Sequence, residues 1–190
     1  MSNIKNYIGR ASKVLNQNDE IMFYEDEIIE DTTNYCIKNW HVFYAFKKFL
    51  AVADGATVNF TLTGHADAVD VLLLENSFSG SEGLISVEIL EDVTISNVGT
   101  LVTNFNRNRN LAITTSVTTH HTATYTGGTL VSEYIAGGGS GNKNRAGGNV
   151  TSINSVALKD LVTYAFEMTN ESGVEQDILI KIEFRNGDMT

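Results

Sequence analysis

The chain has 190 residues, of which 42% are hydrophobic and 19% charged, which suits one folded domain with a real core and argues against a disordered polymer. Its net charge of −10 argues against broad binding to a nucleic-acid backbone or an anionic membrane, since either needs a positive surface field. A single cysteine, Cys36, leaves no intrachain disulfide framework, and no apolar run is long enough to span a bilayer.

Asn and Thr together supply 39 residues and Gly another 16, with no proline. Threonine favours strands, and asparagine and glycine favour turns, so the composition leans to all-β. The start, MSNIKNYIGRASKVLNQNDE, carries no apolar signal core, so the expectation is synthesis in a cytoplasm without a signal peptide.

Residues 1–35 read as an arm or short helix. Asp19 to Asp31 holds seven acidic residues and no basic one. Val14, Ile21 and Ile28 recur at sevens, as do Leu15, Met22 and Ile29, but Asn18 and Glu25 break any second seam. Val14, Ile21, Tyr24 and Ile28 are the expected docking residues of this arm.

Residues 36–190 change to a period of two. Strands are predicted at 41–52, 57–63, 69–75, 84–91, 111–117, 129–135, 162–169 and 177–184. Turn signals separate nearly all of them: Asp54-Gly55, Ser79-Gly80, Gly127-Gly128, Asn170 to Gly173, and Asn186-Gly187. Eight strands without a convincing helix read as a two-sheet β-sandwich, and eight is also the jelly-roll number. No internal repeat shows at a fixed period.

Candidate chemistry is sparse. The loop AGGGSGNKNRAGG (136–148) lacks the Lys-Ser/Thr of a phosphate loop, and Asn144 stands where a dinucleotide loop has its third glycine. It reads as a flexible or interface loop, with Gly139 and Arg145 at a subunit contact. His120-His121 would point to opposite faces of a strand and cannot serve one metal, and His41 and His65 stand at no ligand spacing, which leaves room for one pH-sensitive contact. Glu75, Glu88 and Glu91-Asp92 sit at strand ends as a glycosidase pair would, but acidic residues are common throughout and no G-x-S-x-G occurs. No enzyme, metal or cofactor is expected. The sequons at Asn59, Asn149 and Asn170 carry meaning only in a secreted chain.

The stretch GTLVTNFNRNRN (99–110) alternates asparagine with Phe105, Arg107 and Arg109. Two arginines without a basic stripe are a weak nucleic-acid footprint. Asparagine bonds its own backbone and tolerates left-handed turns, while arginine offers forked donors. Asn104, Asn106, Arg107 and Arg109 are therefore expected to tie a connection to a neighbouring strand or subunit.

The order E-D-V-T-I-S-N-V-G-T-L-V-T-N-F-N-R-N-R-N (91–110), T-G-G-T-L-V (126–131), N-R-A-G-G (144–148), L-V-T-Y-A-F-E-M-T-N-E-S (161–172) and I-L-I-K-I-E-F (178–184) resembles a group of tailed-phage virion proteins, small capsid decoration or head-fibre proteins. The chain departs from that group in carrying a single His41 after Trp40 instead of a His-His pair. The resemblance implies a jelly-roll-like homotrimer on the outer capsid surface, with the major capsid protein or another virion protein as partner and no nucleic acid or membrane. The competing reading is a receptor- or glycan-binding module of a tail or baseplate, for which Trp40, Tyr125 and Tyr134 are the aromatic candidates.

Overall fold

The run V-F-Y-A-F-K-K-F-L-A-V alternates because successive side chains of a strand face opposite ways, and β1 (Val42–Val52) buries Phe43, Ala45, Phe49 and Val52. The computed structural model describes residues 42–64, 71–110, 114–137, 150–152 and 156–185. The arm residues Val14, Ile21, Tyr24 and Ile28, the loop residues Gly139 and Arg145, and Cys36 and Trp40 lie outside the described residues.

The strands that follow are β2 (Thr57–Thr63), β3 (Leu72–Gly80), β4 (Ile85–Glu91), β5 (Thr94–Asn97), β6 (Thr100–Val102), β7 (Phe105–Asn106), β8 (Thr118–His121), β9 (Thr124–Thr126), β10 (Thr129–Ala136), β11 (Val150–Ser152), β12 (Val156–Ala157), β13 (Thr163–Asn170) and β14 (Gln176–Arg185). A front sheet runs β11–β3–β14–β1–β7, with β12 also on β3; a back sheet runs β10–β4–β13–β2–β8–β6. The protein is an all-β sandwich, and no helix occurs among the described residues.

The chain alternates between the sheets. β1 and β3 are front strands and β2 and β4 back ones, and β14 and β13 then slot between the members of each pair. Every pairing is antiparallel. Between the sheets lie Phe78, Ile178, Ile180, Ile182 and Phe184 from the front and Phe60, Leu62, Val87, Phe166 and Met168 from the back. Phe78 packs on Phe166 at 6.4 Å and on Tyr134 at 6.3 Å, and burial of each such side chain contributes about 1.5–3 kcal/mol.

Two strand expectations need correction. The strand predicted at 69–75 is β3 at Leu72–Gly80, running on through Asn76-Ser77-Phe78-Ser79-Gly80. β14 offers a full ladder there, pairing Ile180 with Phe78 and Ile178 with Gly80, and that ladder overrides the turn preference of serine and glycine. Residues 114–117 of the strand predicted at 111–117 lie in no strand, and β8 begins at Thr118. Thr115 Oγ1 accepts the Val117 N–H at 3.1 Å, a local turn that competes with the ladder.

An internal repeat is present after all. β4 ends at Glu91, Asp92 turns at φ 63°, Val93 is buried, and β5 follows; β8 ends at His121, Thr122 turns at φ 57°, Ala123 is buried, and β9 follows. Each copy then passes a positive-φ glycine, Gly99 or Gly128, into Thr-Leu-Val. The exit strand of each copy pairs with the entry strand of the other, Thr100 with His121 and Thr129 with Glu91, and β5 pairs with β9 in a separate two-stranded sheet. The result is a local pseudo-two-fold. Sequence periodicity hides it because the first copy has one residue more before its glycine, taken up by the irregularity between Ile95 and Asn97.

One end of the sandwich is closed by a buried amide pair. Asn170 Nδ2 donates to the carbonyls of Val52 (2.8 Å) and Val174 (2.7 Å), and its Oδ1 accepts from Gln176 Nε2 (2.6 Å) and the Ser172 N–H (3.0 Å). Gln176 Oε1 accepts the N–H groups of Glu82 (3.0 Å) and Gly83 (3.1 Å), while its Nε2 also reaches the Leu84 carbonyl (3.1 Å). Asn170 is fully buried with both ends of its amide engaged, so in the folded chain its sequon is inaccessible.

A candidate binding face on the front sheet

The N-F-N-R-N-R-N motif is built by its alternation. Asn106 Oδ1 accepts the Asn108 N–H at 2.8 Å, and Asn108 Oδ1 accepts the Asn110 N–H at 3.2 Å, two successive side-chain-to-backbone turns that need asparagine at every second position. The intervening Arg107 and Arg109 are thereby left exposed. Asn104 bridges to the back sheet's β8 side: its Nδ2 donates to the Val117 carbonyl at 2.7 Å, and its Oδ1 accepts from the Thr119 hydroxyl at 2.7 Å. The stretch 99–110 is thus more than a connection. It adds β6 to the edge of the back sheet and β7 to the edge of the front one.

β7 sets Phe105 opposite Tyr44, while Asn106 opposes Phe43 and is buried. The outer face of the front sheet follows from the register. One row reads Phe105, Tyr44, Glu183, Glu75, and the next Phe46, Lys181, Ser77. Tyr44, Phe46 and Phe105 stand with ring centroids 5.5–6.4 Å apart and planes within 27° of one another. Phe46 is 48% exposed, whereas Tyr44 and Phe105 are half-buried. The Arg109 guanidinium lies over the Phe105 ring, 5.1 Å from its centroid.

Carboxylates and cations complete the face. Arg107 Nη1 donates to Glu183 Oε1, and the Arg107 N–H donates to the Val42 carbonyl at 2.9 Å. Glu183 is only 4% exposed, and Lys181 Nζ stands 3.6 Å from its other oxygen and 3.8 Å from Glu75. Of the expected tie residues, Asn104 and Arg107 reach Thr119 of β8 and Glu183 of β14, whereas the Asn106 side chain accepts from Asn108 and Arg109 lies over Phe105, both within the same stretch. The exposed ring of Phe46 and the half-buried ring of Tyr44 escaped the sequence reading, because the run at 41–52 reads as mostly buried. Its period of two, with the core taking Phe43 and Ala45, was the signal available.

The remaining candidates separate. β8 sends His121 inward, edge-on to Phe49 at 5.9 Å, and His120 outward opposite Thr61. Burial, then the Lys47 and His120 charges, hold His121 below the ordinary histidine range. Glu91 accepts from Lys159 Nζ and, at 2.6 Å, from the Tyr164 hydroxyl; the Lys159 bond first and the Tyr164 bond second hold it below the usual carboxylate range. Burial, reinforced by Glu91, pushes Tyr164 up to about 12. Glu88 lies between Glu133 and Glu167 across the back sheet, and the Tyr125 hydroxyl caps Glu167 at 2.6 Å. No group of three or more metal-ligating side chains forms among the described residues, and no helix among them is long and apolar enough to cross a membrane.

No known family's sequence model matches this chain, and no curated protein matches it.

Proposed function

We propose that the chain is a virion structural protein of a tailed phage, a capsid decoration or head-fibre protein that acts as a homotrimer on the outer capsid surface. The order of the strands supports a jelly-roll reading of the sandwich. β1–β14–β3–β11 and β2–β13–β4–β10 interleave as two Greek keys do, with the last two long strands returning between the first four. The observation that carries the assembly reading is the state of the back sheet's two edges. Edge strand β10 exposes Leu130, Val131 and Ile135, and edge strand β6 exposes Leu101 at 66%. Open edges bearing aliphatic side chains are surfaces that proteins normally cover. A homotrimer covers them, and closed cyclic symmetry suits the three-fold positions of a capsid lattice.

Sedimentation velocity tests the oligomer, and imaging of particles carrying the labelled chain tests the placement. The expected result is a trimer that Leu130→Asp with Ile135→Asp dissociates, with label over the capsid exterior. A monomeric parent chain, or label confined to the tail, overturns the reading.

A second reading, a receptor- or glycan-binding module, is supported by the exposed Phe46 ring and the half-buried Tyr44 and Phe105 rings beside it on the front sheet.

A further inference from the structure

We propose that the outer face of the front sheet binds a carboxylated pyranose sugar, with the sugar ring against Phe46 and Tyr44 and the sugar carboxylate on Arg109. This rests on the glycan-binding reading and adds to it the ligand's charge and its seat.

The apolar part of the seat is the ring cluster. Three near-parallel rings occupy the sheet's corner, and Phe46 keeps half its surface in water. Aromatic rings of this kind present a flat apolar body to a partner that has both C–H faces and polar edges, as a pyranose has.

The charge selects the class of sugar. Glu183 is neutralised by Arg107 and approached by Lys181, which also faces Glu75. Arg107, Arg109 and Lys181 thus stand against two carboxylates, an excess of one cation on a chain whose total is −10. Arg109 forms no ion pair among the described residues. Its guanidinium carbon lies over the Phe105 ring, 5.1 Å from the centroid, and a carboxylate fits the fork of its N–H donors. The back sheet presents Glu133, Glu88 and Glu167 in a row, so an anion is repelled there and admitted on the front. One excess cation is too few to hold a nucleic-acid strand, whose binding rests on many phosphate contacts.

The test is calorimetric titration of the full chain with sialyllactose and with trigalacturonate, beside the neutral controls lactose and trigalactose. The two acidic probes separate a nonulosonate from a uronate as the carboxylate's source. The expected result is saturable binding of at least one acidic probe and at least about ten-fold weaker binding of its neutral counterpart, the size of one charge-assisted contact. Arg109→Ala and Phe46→Ala each weaken binding by about ten-fold or more with an unchanged melting curve, whereas Leu161→Ala, at an exposed position on the β12–β13 connection, leaves it intact. Absence of binding by both acidic probes, equal binding of the neutral ones, or full binding by Arg109→Ala overturns the proposal. Particle association of the same variants is scored in parallel. Loss of sugar binding with particle association retained separates this face from assembly, and a parent chain that binds sugar but joins no particle overturns the virion reading alone.

Discussion

Gln176→Ala removes the hub of the amide pair that closes one end of the sandwich. The side chain is 3% exposed and makes four hydrogen bonds, to the Glu82 and Gly83 N–H groups, the Leu84 carbonyl and Asn170 Oδ1. Each such bond contributes about 1 kcal/mol net, and a buried group left unpaired costs about 1–3 kcal/mol. Glu82 is exposed and regains a water partner, while Asn170 keeps its bonds to Val52, Val174 and Ser172. The expected loss is therefore about 3 kcal/mol, or about 6–12 °C in Tm for a domain of this size. Urea unfolding followed by circular dichroism measures it as a lower midpoint with an unchanged m value. Gln176→Met, which keeps the volume and removes the polarity, falls by a similar amount. A loss below about 1 kcal/mol in both variants refutes the assignment of this end's stability to the amide pair.

Two further perturbations test other parts of the fold. A Cβ on Gly99 stands 2.3 Å from the His121 carbonyl oxygen at a φ of +73°, whereas one on Gly127 meets nothing within 4 Å at a similar φ of +70°. Gly99→Ala is therefore expected to lose more than about 3 kcal/mol and Gly127→Ala about 1 kcal/mol, and equal urea midpoints for the two contradict the close-approach argument. Tyr164 titrates in the folded chain at about 12, above its ordinary value of 10.0, so its contribution is intact below about pH 10 and is lost as pH rises through about 12. Unfolding free energies measured between those limits decline with pH, and Tyr164→Phe makes the decline shallower; an unchanged slope removes Tyr164 from the account.

The long strands were legible because their core positions recur every second residue: Ile178, Ile180, Ile182 and Phe184 are buried, and Lys181 between them is partly exposed. The short strands β5 to β9 were not, since Thr, Ser and Asn at their positions give no hydrophobic alternation and their pairing is decided by partners distant in sequence. The same holds for the outer face of the front sheet. Arg107 and Arg109 stood out in the sequence, but their partners Glu183 and Phe105, and the rings of Tyr44 and Phe46, meet them only through the registers of β1 with β7 and β14. Asparagine alternation signalled a turn device correctly. Which side chains its arginines meet depended on tertiary pairing, which no local pattern encodes.

The exchanged pairing of the two repeat copies has a mechanical consequence. Because β6 rests on β8 and β10 on β4, each copy is held by the other as two hooks hold each other in a clasp. A peptide-bond cut in the segment between β7 and β8 divides the chain into two pieces that remain strand-paired across both hooks, and also through β14 against β1 and β3. Arg107 and Arg109 stand at the start of that segment, directly after β7. The sandwich is thereby held by pairing between strands distant in sequence as well as by the continuity of the chain.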